Sequence, residues 1–190
     1  MDKIWFTSDT HYGHANVIKY ANRPFKDVQE MNEAMIANWN RVVGHNDIVY
    51  HIGDFAFIRN EDDVLAILNR LVGRKILILG NHDRKMTSKV KSQFQFVTPY
   101  YELKVQDPDA HNGRQDIVLM HYSMRVWNKS HYGAWQLYGH SHGSLPDMDT
   151  MLSMDVGVDC TDYTPISYDQ VKAVMKTKRF VPIDHHRGEM

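Results

Sequence analysis

Five apolar segments of this chain each end in side chains that can bind a metal ion. These side chains are Asp9 and His11 after "KIWFTS", Asp54 after "DIVYHIG", Asn81, His82 and Asp83 after "ILILG", His121 after "DIVLM", and His140 and His142 after "WQLYG". In α/β proteins, ligands bind outside the carboxyl ends of the strands. The chain must therefore fold so that several strand ends converge on one place.

Hydrophobic periodicity predicts alternating strands and helices in the first half of the chain and hairpin-linked strands in the second. Strands are predicted at 3–8, 47–53, 75–80, 96–106, 115–121, 135–140 and 151–159, and helices at 27–43, 61–73 and 167–178. Pro99 interrupts one strand and favours an edge position for it. We expect one α/β domain over residues 1–190 with mixed sheets and a tail that frays after about residue 182.

Capping residues support the predicted ends of two of these helices. Asp27 with Glu30, and Ser167 with Gln170, have the spacing of capping boxes.

Composition excludes several classes of protein. The chain has 190 residues and a formal net charge of −1, with scattered lysines and arginines, so it carries no strong general nucleic-acid-binding signal. No apolar stretch approaches the roughly 18–20 residues that cross a bilayer. The segment before the first strand lacks the basic and long apolar regions of a signal peptide, so none is expected. Cys160 is the only cysteine, so no disulfide framework is expected. A cytoplasmic protein without a membrane anchor is the expectation.

The side chains at the strand ends offer only nitrogen and oxygen ligands. Such a set suits Mn²⁺, which is the expected metal, with Fe, Zn²⁺, Co²⁺ or Ni²⁺ as alternatives. Seven ligands are too many for one ion, and they suit two ions that share a carboxylate. Taken singly, Asp9 is also compatible with a helix cap and Asp54 with a turn. The alternation in "HSH" predicts an extended segment in which two imidazoles reach neighbouring ions.

The motifs "SDTHYGH", "GDF", "GNHD", "HYSM" and "GHSHG" occur in this order over residues 8–143. They resemble those of the calcineurin-like metallophosphoesterase superfamily, and in particular its small single-domain bacterial and phage members. The resemblance implies a four-layer α/β/β/α sandwich of two mixed sheets, as in metallo-dependent phosphatases. By position, the first ion would be held by Asp9, His11, Asp54 and His142, and the second by Asp54, Asn81, His121 and His140.

The same resemblance implies a mechanism. His82 would face the scissile phosphate as general acid or electrostatic stabiliser, Asp83 would orient its imidazole, and a metal-bridging hydroxide would attack the phosphorus. The expected activity is metal-dependent hydrolysis of a small phosphate ester or nucleotide-like substrate, with a phosphodiester favoured. A phosphomonoesterase with the same site is one alternative, and a non-catalytic protein-interaction scaffold of the same fold is another.

Departures from other branches of the superfamily narrow this expectation. "GDFAFIRN" stands where phosphoprotein phosphatases carry "GDxVDRG", and "GNHD" stands where lipid-A pathway hydrolases tend to "GNRD". Both branches are therefore disfavoured, as is a multidomain repair nuclease.

Five further residues are predicted to contact the substrate. His14 begins a short helix beside the first motif, where backbone N–H groups favour anions. Arg23 and Arg125 are candidates for pairing with phosphate, Trp127 for stacking on a base, and His131 for a further contact. An ordinary surface loop is the alternative for these residues, and the state of assembly is left open.

Overall fold

The computed structural model describes residues 2–183, which form nine strands and five α-helices. In chain order these are β1 (Ile4–Thr7), α1 (Ala15–Tyr20), α2 (Val28–Val42), β2 (Ile48–His51), α3 (Glu61–Arg70), β3 (Arg74–Ile78), α4 (Ser88–Lys91), β4 (Val97–Thr98), β5 (Tyr101–Gln106), β6 (Arg114–Leu119), β7 (Trp135–Tyr138), β8 (Ser153–Asp155), β9 (Ile166–Ser167) and α5 (Tyr168–Thr177).

These strands form two mixed sheets. The first has the order β4-β3-β2-β1-β9, in which only β9 runs antiparallel to its neighbour. The second has the order β5-β6-β7-β8, with an antiparallel pair at β5–β6 and parallel pairs beyond it. The predicted sandwich of two mixed sheets flanked by helices is confirmed.

Strand alternation divides the hydrophobic residues between two layers. In β1, Trp5 packs on the helix side with residues of α2 and α3, whereas Phe6 points into the core between the sheets. Val49 and Tyr50 of β2 divide in the same way. The inter-sheet core also receives side chains from β6, β7 and α5. Both faces of the first sheet are thus buried, which explains the near-continuous apolar runs of its strands.

The helices α2 and α5 begin directly after the predicted capping residues. The Asp27 side chain accepts a hydrogen bond from Glu30 N, while the Glu30 carboxylate accepts from Lys26 N, so the second half of that capping box is displaced by one residue. Both halves of the Ser167 box with Gln170 are present.

Several element bounds differ from the prediction. Pro99 divides the strand expected at 96–106 into β4 and β5, which become edge strands of different sheets. The helix expected at 61–73 ends at Arg70, and the strand expected at 151–159 shortens to β8. The single domain over 1–190 stays a prediction, and nearly all of its frayed tail lies outside the described residues. Among residues 2–183, no helix is both long and apolar enough to span a membrane.

Candidate metal centre

The loops that follow β1, β2, β3, β6 and β7 meet at one end of the two sheets. Backbone hydrogen bonds join them: Asp9 N donates to Gly53 O at 2.9 Å, and His11 N to Asp54 O at 3.0 Å. Gly139 N donates to His121 O at 3.0 Å. All seven predicted metal ligands are thereby brought together, in two groups.

Asp9, His11 and His142 form the first group, with one ligand atom of each within 4.8 Å of the others. Asp9 is buried, and its Oδ2 accepts from His140 N at 2.9 Å. Its Oδ1 has no hydrogen-bond partner, and neither do the two ring nitrogens of His11. Buried polar atoms without partners are costly, and a bound cation would satisfy these three atoms.

Asp54, His121 and His140 form the second group, again within 4.8 Å of one another. His121 Nδ1 lies 2.8 Å from the carbonyl oxygen of Ile52, which only accepts, so Nδ1 carries the proton. In the neutral ring, Nε2 is then a lone pair that faces Asn81 Oδ1 at 3.1 Å. Two acceptors face each other here, and a cation between them would satisfy both.

Asp54 stands between the two groups. Its Oδ2 lies 3.6 Å from His11 Nε2 and 3.5 Å from His121 Nε2, so one oxygen faces both sets of ligands. Its Oδ1 accepts from His82 N at 2.9 Å. This is the position of a carboxylate shared by two ions, and the donor set fits a dinuclear centre.

Electrostatics keep His11 and Asp54 in forms that bind cations. Burial lowers the pKa of His11 to about 3, which keeps its imidazole neutral. Burial opposes ionisation of Asp54, but the hydrogen bond and charge of His121 outweigh it and lower the pKa of Asp54 to about 2. Burial raises the pKa of Asp9 to about 7, and a cation beside the carboxylate would lower that pKa again.

His142 is held by a carboxylate that the sequence analysis did not identify. Its Nδ1 lies 2.6 Å from Asp159 Oδ2, and this contact raises the pKa of His142. Arg23 in turn donates two hydrogen bonds of 2.8 Å to the Asp159 carboxylate. Carboxylates commonly orient metal-binding imidazoles in this way. No motif links Asp159 to His142 in the sequence, so only the fold reveals the contact.

The position of Arg23 corrects its predicted role. Its guanidinium is fully buried and also donates to the carbonyl oxygens of Asp9 at 2.7 Å and Thr10 at 3.1 Å. Arg23 is therefore committed to the loop after β1 and to Asp159, and it does not face a substrate phosphate.

His82 and Asp83 occupy very different surroundings. The His82 side chain is 39% exposed, and its Nε2 lies 3.9 Å from Asp54 Oδ2, at the edge of the centre. Asp83 is fully buried and accepts three backbone hydrogen bonds, from Asp54 N at 2.7 Å, Gly80 N at 2.8 Å and Phe55 N at 3.0 Å. The prediction that Asp83 orients the His82 imidazole is thus corrected: Asp83 joins the loops after β2 and β3.

A cleft of about 760 Å³ opens beside the two ligand groups. Its lining includes His82, His140 and, as predicted, His14. The sequence analysis did not identify Tyr20 and Phe57, two exposed aromatic residues that line the same cleft. Neither belongs to a motif, and an isolated exposed aromatic residue carries no signal in a single sequence.

The structure does not bring the loop before the "GHSH" motif into this cleft. Trp127 is only 7% exposed, and its indole N–H donates to Ala134 O at 2.9 Å, so it packs in the protein and cannot stack on a base. Arg125 lines a separate, much smaller hollow with Trp127. His131 packs its ring against Tyr132 at 4.1 Å and does not line the cleft. The predicted substrate contacts of these three residues are corrected accordingly.

Five candidate ligands adopt left-handed backbone conformations. These are Asp9, His11, Asp54, His140 and His142, with φ between 47° and 67°. The segment "HSH" is therefore not extended as predicted. Instead, sharp backbone turns at His140 and His142 aim one imidazole at each group of ligands.

Comparisons with known proteins agree with this geometry. The sequence model of the calcineurin-like phosphoesterase family matches residues 2–150. The chain is 34% identical over 187 residues to an uncharacterized protein of Methanocaldococcus jannaschii, with 94% of each chain covered. It is 27% identical over 166 residues to the gene 66 protein of Mycobacterium phage L5, covering 76% of this chain and 80% of the relative. A solved structure of a protein of unknown function from Aquifex aeolicus shares the fold, with a TM-score of 0.68 and 24% identity over 92% of this chain and 100% of that one.

Proposed function

This chain belongs to the calcineurin-like phosphoesterase family, whose activity is metal-dependent hydrolysis of phosphate esters, and we propose from this premise that its substrate is a phosphodiester. One observation carries the proposal: Asp54 Oδ2 lies between two groups of ligands that include buried nitrogen and oxygen atoms without partners. Such a site is built for two cations and an anion between them.

The ligands divide between the ions as their positions suggest. Asp9, His11 and His142 would hold one ion, Asn81, His121 and His140 the other, and Asp54 both. Mn²⁺ is the proposed metal, because all the donors are nitrogen or oxygen. Two bound ions would supply Lewis-acid charge for the phosphoryl oxygens and lower the pKa of a bound water.

The protein's own contribution to the reaction centres on His82. Its ring borders both the cleft and Asp54, so an ester bound at the centre would lie beside it. The hydrogen bond from His82 N to Asp54 Oδ1 at 2.9 Å fixes the backbone of this residue relative to the metal ligands. We assign to His82 the donation of a proton to the leaving oxygen. Asp83 holds the loop that carries it.

The charge of the cleft supports a diester. No lysine or arginine is among the described residues that line it, and the guanidinium of nearby Arg23 is used by Asp159. A phosphomonoester carries up to two negative charges at neutral pH, whereas a diester carries one. The additional charge of a monoester would find no cationic side chain here, because the ions alone would have to neutralise it.

The test compares p-nitrophenyl phosphate with bis-p-nitrophenyl phosphate on protein stripped of metal and refilled with Mn²⁺. We expect Mn²⁺-dependent cleavage of the diester in preference to the monoester. His82→Ala should lower turnover roughly 10²–10⁴-fold while metal content is retained, whereas Asp54→Asn should impair both metal sites. His45→Ala is the matched control, because His45 is exposed at the opposite end of β2.

Each other outcome changes the proposal in a defined way. Preference for the monoester would replace the diesterase with a phosphomonoesterase of the same site. Full loading with Mn²⁺ and no turnover of either ester would favour a non-catalytic scaffold. Loss of metal from His82→Ala would refute the role assigned to His82.

A further inference from the structure

One wall of the cleft is aromatic. The rings of His14 and Phe57 lie 4.4 Å apart, and those of His14 and Tyr20 lie 6.3 Å apart, measured between centroids. Phe57 also meets the His82 ring edge-on at 5.3 Å. The three rings of His14, Tyr20 and Phe57, here called the aromatic wall, therefore form a continuous surface that leads to the candidate proton donor.

The aromatic wall is not explained by packing of the protein core. Tyr20 is 78% exposed and Phe57 is 52% exposed, although the residues on either side of Phe57 pack against the buried core. The backbone fixes the position of Phe57, whose N–H donates to Tyr12 O at 2.9 Å. Exposing large aromatic side chains gains nothing for folding, so a ligand that covers them is the natural counterpart.

The chemistry of the cleft restricts that ligand. Aromatic side chains stack on flat rings, and the lining also offers the polar side chains of Asn22, Ser141 and Ser144. The lack of lysine and arginine among the described lining residues disfavours a triphosphate or a long nucleic-acid strand, each of which presents several negative charges. The volume of about 760 Å³ is that of a site for a small molecule.

We infer that the aromatic wall is a subsite for a nucleobase, carried by a nucleoside group esterified to the phosphate. This inference rests on the proposed function, because the phosphate of such a substrate would lie at the metal ligands. Contact between Phe57 and His82 places the base on the side of the leaving group. The substrate class is thus a small nucleoside phosphodiester with a single phosphate.

The test measures binding to Mn²⁺-loaded protein by calorimetry with two ligands that resist hydrolysis. One is a thymidine 5′-methylphosphinate, in which a methylene group replaces the bridging oxygen and a methyl group replaces the second ester group, so that it carries the single charge of a diester. The other is ethylmethylphosphinate, which has the same head group without a nucleoside. The wild-type protein should bind the thymidine compound more tightly. Phe57→Ala should reduce the ratio of the two affinities about 5- to 100-fold, as loss of one base–aromatic stack does.

Two variants serve as controls. Phe57→Tyr keeps a ring at this position and should preserve the ratio of affinities. Tyr132→Ala removes another exposed aromatic side chain, 74% exposed and outside the cleft, and should leave both affinities unchanged.

The results separate failure of the inference from failure of the proposed function. If ethylmethylphosphinate binds and the thymidine compound binds no better, or if Phe57→Ala weakens both equally, the nucleobase subsite is refuted while the phosphate site stands. If only the thymidine compound binds, and Phe57→Ala abolishes that binding, the subsite is supported and a phosphate site at the ions is refuted. Binding of neither compound refutes both.

Discussion

Arg23 provides a direct test of how the candidate metal centre is supported. Its side chain is fully buried. It donates two hydrogen bonds of 2.8 Å to the Asp159 carboxylate and two more to backbone carbonyl oxygens. We consider replacement by methionine, which has a similar length and no charge. Arg23→Met leaves the Asp159 carboxylate buried with His142 as its remaining side-chain partner.

The expected cost follows from burial. Removing one partner of a buried ion pair leaves an uncompensated charge and typically costs about 3–5 kcal/mol. For a chain of this size, each kcal/mol lowers Tm by about 2–4 °C, so Tm should fall by roughly 6–20 °C. Arg70→Met is the matched control. Arg70 also donates two hydrogen bonds to a carboxylate, that of Glu33, at 2.7 and 2.6 Å, but both of these side chains are about half exposed. Its loss should lower the free energy of unfolding much less than the loss of Arg23, because water screens an exposed ion pair.

The assay is urea unfolding of both variants and wild type in EDTA, so that metal binding does not add to the free energy of unfolding. The double variant Arg23→Met/Asp159→Leu removes both charges and should be less destabilised than the sum of the single changes. If Arg23→Met costs no more than Arg70→Met, or if the double variant shows simple additivity, the reasoning from burial is refuted.

Three further predictions concern other buried contacts. Asp83→Asn should lower the free energy of unfolding by about 1.5–3 kcal/mol. The reason is that an amide NH₂ cannot accept the hydrogen bonds that the backbone N–H groups donate to the carboxylate. Unchanged urea unfolding would contradict this. Gly80→Ala should weaken Mn²⁺ binding in calorimetry, since the new Cβ would lie 2.2 Å from Asp54 Oδ1 and 2.6 Å from Asp54 N; wild-type affinity would show that the loop yields freely. Hydrogen bonds from Lys172 and Tyr168 lower the pKa of Asp107 from 3.8 to about 2. The stability that Asp107 adds should therefore be complete above its unfolded pKa and disappear as pH falls through its folded pKa. The gap in unfolding free energy between wild type and Asp107→Asn should close in that window, and a constant gap would refute the assignment.

The convergence of the candidate metal ligands could be predicted because their signal is local. Each stands directly after an apolar strand, as Asp54 does after β2, and the carboxyl ends of such strands meet whatever the loops do. Pro99 also carried a local signal, because proline lacks the N–H that a central strand must donate. It predicted an edge position for one strand, and the structure has an edge strand on either side of it.

The residues that were missed depend on contacts that are distant in sequence. Asp159 acts on His142 only because the turn after β8 folds back on the centre. Trp127 was misplaced because an aromatic residue in a polar loop is compatible with both exposure and burial, and its contact with Ala134 decides for burial. Asp83 was assigned to the imidazole beside it in sequence, whereas the tight turn of the backbone directs its carboxylate to the amides of two loops.

The left-handed conformations of the five ligands have a consequence for how the protein would change under selection. Residues with a Cβ are disfavoured there by about 1–3 kcal/mol each, and glycine is not. Asp9 and His140, with φ of 57° and 67°, are thus kept where the backbone would gain stability from their loss. A laboratory lineage selected only for resistance to heat, in the presence of chelator, should accumulate glycine at these positions before it alters the core. Retention of the aspartates and histidines in such a lineage would require selection for turnover.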